Sequence, residues 1–311
     1  MKRLAMLLKK QTQDRISSVV FASLAVIVIL ITASIFLFVG SNAYQTFTVG
    51  HVSLHDFFLS TNWDGEANYG ILVYIVGSVS LILVSLVFAV PLAVATALFI
   101  TEMAPPWLGN LLRNTVELLL GIPSVIFGLI GLLVVVPVVS NILNALFADG
   151  LYFFNGLGLI AAAIVITFMI VPTITTISVD ALRAIPRELR EGSLALGATR
   201  WQTISRTVVP AALPGIMTGV ILGAARVLGE TVAVALVIGG AVNFPFHLTN
   251  AFPYIYLGPT SVLTLILLNN SKEAVAPQTV YYSLWSVSLL LLVISALFVW
   301  LSRSITARRV Y

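Results

Sequence analysis

Two charged residues, Arg226 and Glu230, stand in a segment that is otherwise apolar enough to lie inside a membrane. Charge is expensive in hydrocarbon and by default marks a transport pathway or a paired functional site. Residues four apart in a helix share one face, so the two side chains are expected to meet. The guanidinium fork fits a phosphate-like oxyanion. The pair is either a neutralised contact that packs two helices, or a site where Arg226 meets an anion in transit while Glu230 orients its fork.

A second candidate for anion contact is the segment GIPSVIFGL, which begins at Gly121. Gly121 and Pro123 interrupt a predicted span, and such breaks are tolerated only where protein or a water-filled cavity satisfies the freed backbone groups. Ser124 follows directly and has a hydroxyl to donate. A simple packing kink between helices explains the same residues equally well. The predicted substrate pathway consists of Ser124, Arg226, Glu230 and Thr231.

A polar, arginine-rich island, ELREGSLALGATRWQTISRTVVP, occupies residues 188–210 between two long apolar segments. Pro186 suits the first turn of a helix, where a missing N–H costs nothing. Gly197 suits the left-handed turn that ends this helix. Thr199 then begins T-R-W-Q, a capping-box pattern for a second helix. The island is therefore predicted to form two short helices and a turn, with Pro210 at the entry to the next span.

The tip of this island is unexpectedly apolar, since Leu194, Ala195, Leu196 and Trp201 stand beside charged residues. Small and apolar side chains on a polar hairpin suit docking into a groove on a partner protein. They suit equally a hairpin that lies on the membrane with its arginines toward anionic headgroups. The residue types alone leave both interpretations open.

The chain lacks the residues for several kinds of intrinsic chemistry. None of its lysines follows a glycine, so the phosphate-binding loop of an ATPase is absent and no enzymatic activity is expected. The absence of cysteine excludes disulfides and thiolate metal sites. His51 and His55 would share a metal only if they were helical, and two solvated loop histidines are the simpler expectation. Neither a cofactor nor a metal is predicted.

The elements that must carry these residues are membrane spans. Apolar residues make up 59% of the 311 residues, charged residues 9%, and the mean hydropathy is +1.06, whereas soluble domains carry about 25% charged residues. Several stretches exceed the ~20 apolar residues that cross a bilayer. We therefore predict an all-α, polytopic membrane protein. The six predicted spans are 16–39, 71–100, 114–139, 158–179, 211–240 and 280–302.

Basic residues are distributed unevenly among the connecting segments. With the N-terminus in the cytoplasm, fourteen of the sixteen Lys and Arg residues fall in the N-tail, the loop near 101–113, the 180–210 island and the C-tail. The only lysine or arginine in the outer loops is Lys272, although one of these loops, the aromatic-rich segment at 241–279, is long. Because lysine and arginine are retained on the cytoplasmic side, both termini are predicted to be cytoplasmic.

The island resembles the E-A-A loop of ABC-importer permeases, whose pattern is E-A-A, three residues, G, nine residues, I, one residue and L-P. Glu191, Gly197 and Pro210 stand at the expected spacing. The departures from the pattern are Gly192, Ser193, Thr207 and Val209. The resemblance implies that the loop docks onto a separate ATP-hydrolysing subunit and transmits its closure to the spans. The residues assigned to this coupling are Glu191, Leu196, Gly197, Thr199, Arg200 and Pro210.

Two further segments resemble those of phosphate permeases. GIPSVIFGL is similar to their glycine-proline motif, and ARVLGETVAV, which begins at Ala225, resembles their fifth-span R-x-x-G-E-T segment. The ETVAV continuation is closer to the PstC-type subunit than to its PstA-type sister. The resemblance covers about residues 70–305 and implies a type I ABC-importer permease fold with six transmembrane helices.

By this resemblance, the chain is the membrane permease subunit of an ATP-driven phosphate importer in the inner membrane, and it forms half of the translocation pathway. The implied partners are a PstA-type second permease, two copies of an ATP-binding subunit and an extracytoplasmic phosphate-binding protein, with no nucleic acid. The expected parts are a cytoplasmic N-tail at 1–15, a first helix with an outer loop at 16–70, the permease core at 71–305 and a C-tail at 306–311.

Three alternatives stay open at this point. The same architecture serves a permease for molybdate, sulfate or another small solute. If the chain is a membrane scaffold or signalling subunit that moves no solute, removal of Arg226 or of the island would leave solute uptake intact. A secondary transporter would use an ion gradient and no ATPase, although no inverted repeat is evident in the spans.

Overall fold

The computed structural model describes residues 2–64, 68–146, 155–240, 260–270 and 278–307, without the side chains of 2–16, 270 and 305–307. Helices dominate this part of the chain, and its β-structure is limited to isolated bridges. Six helices are long and apolar enough to cross a membrane, which confirms the all-α, six-span prediction. Spans 1 to 6 are Ser17–Thr48, Leu72–Met103, Ser124–Leu146, Leu159–Arg183, Arg200–Gly229 and Gln278–Ser304.

Shorter helices connect or extend the spans. They are Leu54–Leu59, Pro106–Leu120, Arg187–Ala195, Val232–Val237 and Leu263–Asn270. Three spans also contain a five-residue π turn, at Phe99–Met103, Gly131–Val135 and Ile204–Val208. Span 1 belongs to a continuous helix, Lys2–Thr48, and span 6 to the helix Gln278–Ala307. Residues 241–259 and 271–277 of the predicted aromatic-rich outer loop at 241–279 lie outside the described residues.

The predicted C-terminal end of span 1 was wrong. The helix ends at Thr48 instead of residue 39. The last turns are polar, but they pack on span 6. The Thr46 and Ser286 hydroxyl oxygens are 2.8 Å apart, and the Ser286 hydroxyl donates to the Ala43 carbonyl at 3.0 Å. Satisfied hydroxyls in a buried contact let the helix continue beyond its apolar stretch.

The predicted starts of spans 3 and 5 were also wrong. Span 3 starts at Ser124 because the helix Pro106–Leu120 is a separate element that ends at Gly121. Span 5 starts at Arg200, well before Pro210. Pro210 lies in the first turn of the α-helical segment Val209–Gly229, directly after a π turn. A proline lacks only an N–H that is unpaired at this position, so the helix passes through it.

Span 4 forms the centre of the bundle and packs against spans 2 and 5. Its contact with span 5 follows a stripe of glycines, Gly215, Gly219 and Gly223. A Cβ on Gly223 would lie 2.9 Å from Ile174 Cγ1, and one on Gly219 would lie 3.2 Å from Ile177 Cβ. Small residues four apart let two membrane helices approach closely. This close packing fixes the height of span 5 beside span 4.

The end of the bundle opposite the island has its own small core. Phe57 of the helix Leu54–Leu59 is buried with Trp63, Tyr69 and Ile71. His51 lies in the preceding loop with φ of 51°, while His55 lies in the helix, so the two do not share a helical face. Within the described residues, no group of three or more His, Cys, Asp or Glu side chains is placed to hold a metal.

Candidate functional site

The island folds as two helices joined by a tight turn, as its local sequence predicts. We call residues 187–203 the hairpin. Gly197 adopts a φ of 84°, a left-handed conformation that glycine accepts without strain. Thr199 caps the second helix: its backbone N–H donates to Gln202 Oε1 at 2.9 Å, and its hydroxyl accepts the Gln202 N–H at 3.3 Å. The predicted capping box is thus confirmed.

One detail of the hairpin differs from the prediction: Pro186 is the N-cap residue and not part of the first turn. Leu196 follows the end of the first helix at Ala195. Leu196 therefore projects from the turn, with 91% of its surface exposed. Trp201 on the second helix is 66% exposed. The hairpin presents an apolar tip that no described part of the chain covers. Glu191 and Arg200 are likewise exposed on it.

Hydroxyl groups join the two arms of the hairpin. The Ser193 and Thr203 hydroxyl oxygens are 3.0 Å apart, and the Thr207 hydroxyl donates to that of Ser193 at 3.5 Å. Ser193 is a position where this chain departs from the E-A-A pattern. The serine Cβ takes the place of the alanine methyl, and its hydroxyl adds a polar link to the second arm.

The hairpin is fastened to the bundle by one arginine. Arg190 Nη2 lies 2.8 Å from Glu102 Oε1, and Arg190 Nε donates to Glu102 Oε2 at 3.4 Å. The same guanidinium donates to the carbonyls of Leu182 at 2.9 Å and Ile185 at 2.7 Å. Only 23% of the Arg190 side chain and 11% of the Glu102 side chain are exposed. A charge-assisted contact shielded from water in this way is stronger than a surface ion pair.

A second ionic contact joins the helix Pro106–Leu120 to the end of span 4. Arg113 Nε lies 2.7 Å from Glu117 Oε1, and Arg113 Nη2 lies 3.1 Å from Asp180 Oδ1. The hydrogen bond to Glu117, more than the nearby charge of Asp180, raises the pKa of Arg113 above its usual value. Glu117 belongs to the helix Pro106–Leu120 and not to span 3, which starts at Ser124 instead of the predicted residue 114.

The predicted contact between Arg226 and Glu230 is wrong. Both residues are described, and no ion pair joins them. The helix ends at Gly229, and Glu230 is its C-cap, with a ψ of 124° that turns the following chain away. The Glu230 carboxylate accepts from the Ala233 N–H and not from Arg226. Arg226 Nη1 instead donates to the Thr173 hydroxyl of span 4 at 3.2 Å. Thr173 is neutral, and within the described residues no carboxylate is paired with the half-buried Arg226.

Glu230 is used to stabilise the break that follows span 5. Its Oε1 accepts the backbone N–H of Ala233 at 3.3 Å, in the first turn of the helix Val232–Val237. Its carbonyl accepts the Thr264 hydroxyl at 2.9 Å. Thr231 is half-buried beside it, and among the described residues its hydroxyl donates to the Gly229 carbonyl alone, at 3.5 Å. Glu230 therefore satisfies backbone groups that the break would leave unpaired.

Ser124 is half-buried at the start of span 3, after a turn at Gly121 and Pro123. No hydrogen bond links it to Arg226, Glu230 or Thr231, all of which are described. Span 3 nevertheless packs on the helix Val232–Val237, because a Cβ on Gly128 would lie 2.7 Å from Ala233 Cα. The four predicted pathway residues therefore lie on neighbouring elements without forming one hydrogen-bonded cluster.

Three residues of this arrangement were not found from the sequence: Glu102, Thr173 and Arg190. Glu102 stands at the end of an apolar span, where a single acidic residue is an ordinary signal for a span boundary. Arg190 is one of several arginines in the island, and Thr173 follows Pro172 without any distinctive neighbour. Only the packing of separate helices brings these residues to their partners.

Comparison with known proteins gives a family for most of the chain. Residues 89–310 match the family described as binding-protein-dependent transport system inner membrane component. The Bacillus subtilis protein named probable ABC transporter permease protein YqgH is 40% identical over 303 residues, which cover 96% of this chain and 93% of that protein.

Two further relatives carry the name phosphate transport system permease protein PstC. The one from Haemophilus influenzae is 33% identical over 259 residues, covering 79% of each protein. The one from Mesorhizobium japonicum is 34% identical over 303 residues, covering 92% of this chain and 87% of its own.

The fold is also that of structurally characterised importers. A chain of the inward-facing MetNI methionine ABC transporter superposes with a TM-score of 0.53 at 20% sequence identity, covering 75% of this chain and 92% of its own. A chain of a bacterial alginate ABC transporter gives 0.54 at 19%, covering 86% of both. At these identities the likeness concerns the fold alone.

Proposed function

The chain belongs to the binding-protein-dependent ABC-importer permeases, multi-pass proteins of the inner membrane that are not themselves enzymes, and we propose that the solute it carries is inorganic phosphate. It forms half of the translocation pathway together with a PstA-type second permease. Relatives named as phosphate permeases support this choice of substrate. The proposal assigns the permease core to residues 71–305.

The observation that carries the substrate proposal is the environment of Arg226. Its guanidinium is half-buried and has a neutral hydroxyl as its hydrogen-bond partner, while Glu230 is occupied by the backbone of the break. An intramembrane arginine that no described carboxylate of its own subunit neutralises is suited to a passing oxyanion. Because no carboxylate among the described residues pairs with Arg226, a phosphate would meet its full charge.

The hairpin is the element that couples the chain to the ATP-binding subunits in this proposal. Its exposed apolar tip at Leu196 fits a groove on a separate ATP-binding subunit, two copies of which serve the two permeases. Arg190 links the hairpin to Glu102 of span 2 and to the end of span 4, so movement of the tip reaches the spans directly. In this arrangement, closure of the ATPase switches the pathway between its two access states.

The orientation proposed for the chain places the hairpin and both termini in the cytoplasm, as the distribution of basic residues favours. The small core around Phe57 then lies outside the membrane. That side receives an extracytoplasmic phosphate-binding protein, which delivers the substrate.

The test is uptake of radiolabelled phosphate at micromolar concentration by cells that lack this gene and any redundant phosphate transporter. Re-expression of the chain with its partners should restore uptake, and neither excess sulfate nor excess molybdate should compete. Arg226→Ala should abolish the restored uptake. Arg183→Ala is the matched control, because Arg183 is exposed at the end of span 4 and touches neither the hairpin anchor nor Thr173.

Each alternative gives a different result in this assay. Competition by molybdate or sulfate would reassign the substrate while keeping the permease function. Uptake that survives ATP depletion but not collapse of the ion gradient would indicate a secondary transporter. Restored uptake that is unaffected by Arg226→Ala would refute the assigned role of Arg226, and no restoration at all would remove phosphate as the substrate.

A further inference from the structure

Spans 1 and 6 are packed together at one end and separate toward the other. Phe36 is partly buried, whereas every residue from 17 to 35 of span 1 is exposed. From Phe36 onward, a groove of about 400 Å³ opens along the surface of span 6. The groove runs toward the hairpin side of the bundle, where span 6 ends.

The lining of this groove is almost wholly apolar. It consists of Phe36, Leu292, Ser295, Ala296, Val299, Trp300 and Arg303. Leu292, Ala296, Val299 and Arg303 follow one another at intervals of three or four residues, so they form one face of the helix. Ala296 and Ser295 have small side chains and give the groove its depth.

The length of the groove matches one leaflet of a bilayer. Leu292 and Arg303 are eleven positions apart in a continuous helix, which corresponds to roughly 17 Å at 1.5 Å per residue. The hydrocarbon core of a bilayer is about 30 Å thick, so this is close to half of it. A hydrocarbon chain that lies along the groove from Leu292 would reach Arg303 at the membrane surface.

The surface end of the groove carries an available positive charge. Arg303 is exposed, and within the described side chains it has no ion-pair partner. Trp300, one turn earlier, is 64% exposed. Tryptophan is enriched at the headgroup level, where its ring is partly apolar and partly hydrated. This end therefore combines an interfacial anchor with a cation that lacks a counter-ion.

We propose that the groove binds one anionic phospholipid, with an acyl chain between Phe36 and Ala296 and its phosphate on the Arg303 guanidinium. The planar fork of an arginine suits a phosphate group. The exposed Arg303 at the surface end of the groove favours a phospholipid over an apolar helix, which would leave the guanidinium without a counter-ion. This binding is independent of the solute that the chain transports.

The proposal is tested with phosphatidylglycerol that carries a photoactivatable diazirine on one acyl chain, added to proteoliposomes of the full chain in phosphatidylcholine. Labelling should map to peptides that contain Phe36 and residues 292–303. Unlabelled phosphatidylglycerol should compete about fivefold better than phosphatidylcholine, the effect expected for one arginine at a membrane surface.

Three variants decide the outcome. Arg303→Gln should remove the preference for phosphatidylglycerol, whereas Arg183→Gln, also an exposed arginine at the end of a span, should keep it. Ala296→Phe should fill the groove and strongly reduce labelling; a thermal unfolding curve checks that this variant is folded. Unchanged preference in Arg303→Gln, or labelling that is unaffected by Ala296→Phe, would overturn the proposal. Crosslinking of the same peptides to another polypeptide instead of lipid would also overturn it.

Discussion

Arg190 and Glu102 are 88 residues apart in the sequence, yet the guanidinium of one lies 2.8 Å from the carboxylate of the other. The same arginine also donates to the carbonyls of Leu182 and Ile185 at the end of span 4. One side chain thus joins the hairpin, span 2 and span 4. The hairpin cannot shift relative to these spans unless it moves them or breaks a largely buried ionic contact.

Removal of this anchor is expected to uncouple the hairpin from the spans. Arg190→Ala leaves Glu102 buried without its partner, which is strongly destabilising for such contacts. We expect a fall of more than tenfold in ATP-dependent phosphate uptake by proteoliposomes of the complex. Arg190→Lys should recover only part of the activity, because a single ammonium cannot reach the carboxylate and both carbonyls together.

Arg187→Ala is the control for this prediction, since Arg187 is exposed on the same helix and takes part in none of these contacts. An equal loss in Arg187→Ala would assign the effect to the general charge of the hairpin. The exchanged pair Glu102→Arg with Arg190→Glu should stay inactive, because a glutamate at 190 cannot donate to the two carbonyls. Recovery in that double variant would contradict the anchor role.

The exposed tip of the hairpin should determine binding of the ATP-binding subunit. Leu196→Asp places a charge where an apolar groove is expected, so co-purification of the ATPase should fall at least tenfold. Stability of the isolated chain should be unchanged, because Leu196 is 91% exposed. Leu196→Met keeps an apolar side chain of similar size and should bind normally. Normal binding by Leu196→Asp would move the contact elsewhere on the hairpin.

Two glycines of the hairpin should respond in opposite directions to alanine. Gly192 is within the helix Arg187–Ala195 and has nothing within 4 Å of an added Cβ, so Gly192→Ala should stabilise this helix by up to ~1 kcal/mol. Gly197 has a φ of 84°, so Gly197→Ala should destabilise the turn by about 1–2 kcal/mol. Hydrogen–deuterium exchange of the hairpin amides measures both, and slower exchange in Gly197→Ala would disprove the assigned turn.

Thr173 should orient Arg226 for the substrate. Thr173→Val keeps the shape of the side chain but removes the hydroxyl that accepts from the guanidinium at 3.2 Å. A hydrogen bond to a charged group contributes about 1.5–3 kcal/mol, so the phosphate concentration for half-maximal uptake should rise at least about tenfold. Thr176→Val is the control, because its hydroxyl donates to the Pro172 carbonyl of its own helix at 2.9 Å. Equal shifts in both variants would argue against a specific role for Thr173.

The parts of the hairpin that depend on a few neighbouring residues could be predicted from the sequence. A glycine that adopts positive φ and a threonine that caps a helix are determined within about four residues, and both Gly197 and Thr199 behave as expected. The six spans follow from apolar length alone. Their ends could not be placed as well, because Thr46 and Pro210 stay helical through contacts and local geometry that hydropathy does not measure.

The pairing of Arg226 with Glu230 failed for a physical reason of the same kind. The spacing of four residues implies contact only while the helix continues. Here the helix ends at Glu230: the Thr264 hydroxyl donates to the Glu230 carbonyl and the Glu230 carboxylate accepts from the next helix, so this carboxylate is not available to Arg226. Thr264 is 34 residues from Glu230 in the sequence, so no local pattern predicts this contact. Glu102 and Arg190 escaped prediction for the same reason.

Span 5 begins in the hairpin at Arg200 and continues without interruption to Gly229, a length of 30 residues or about 45 Å. Trp201 at one end is exposed beside the tip, and Arg226 lies near the other end. Between them, Gly215 and Gly219 hold the helix closely against span 4. This one element joins the exposed tip to Arg226, so we expect a displacement of the tip to be transmitted along span 5 to Arg226 and its hydrogen bond to Thr173.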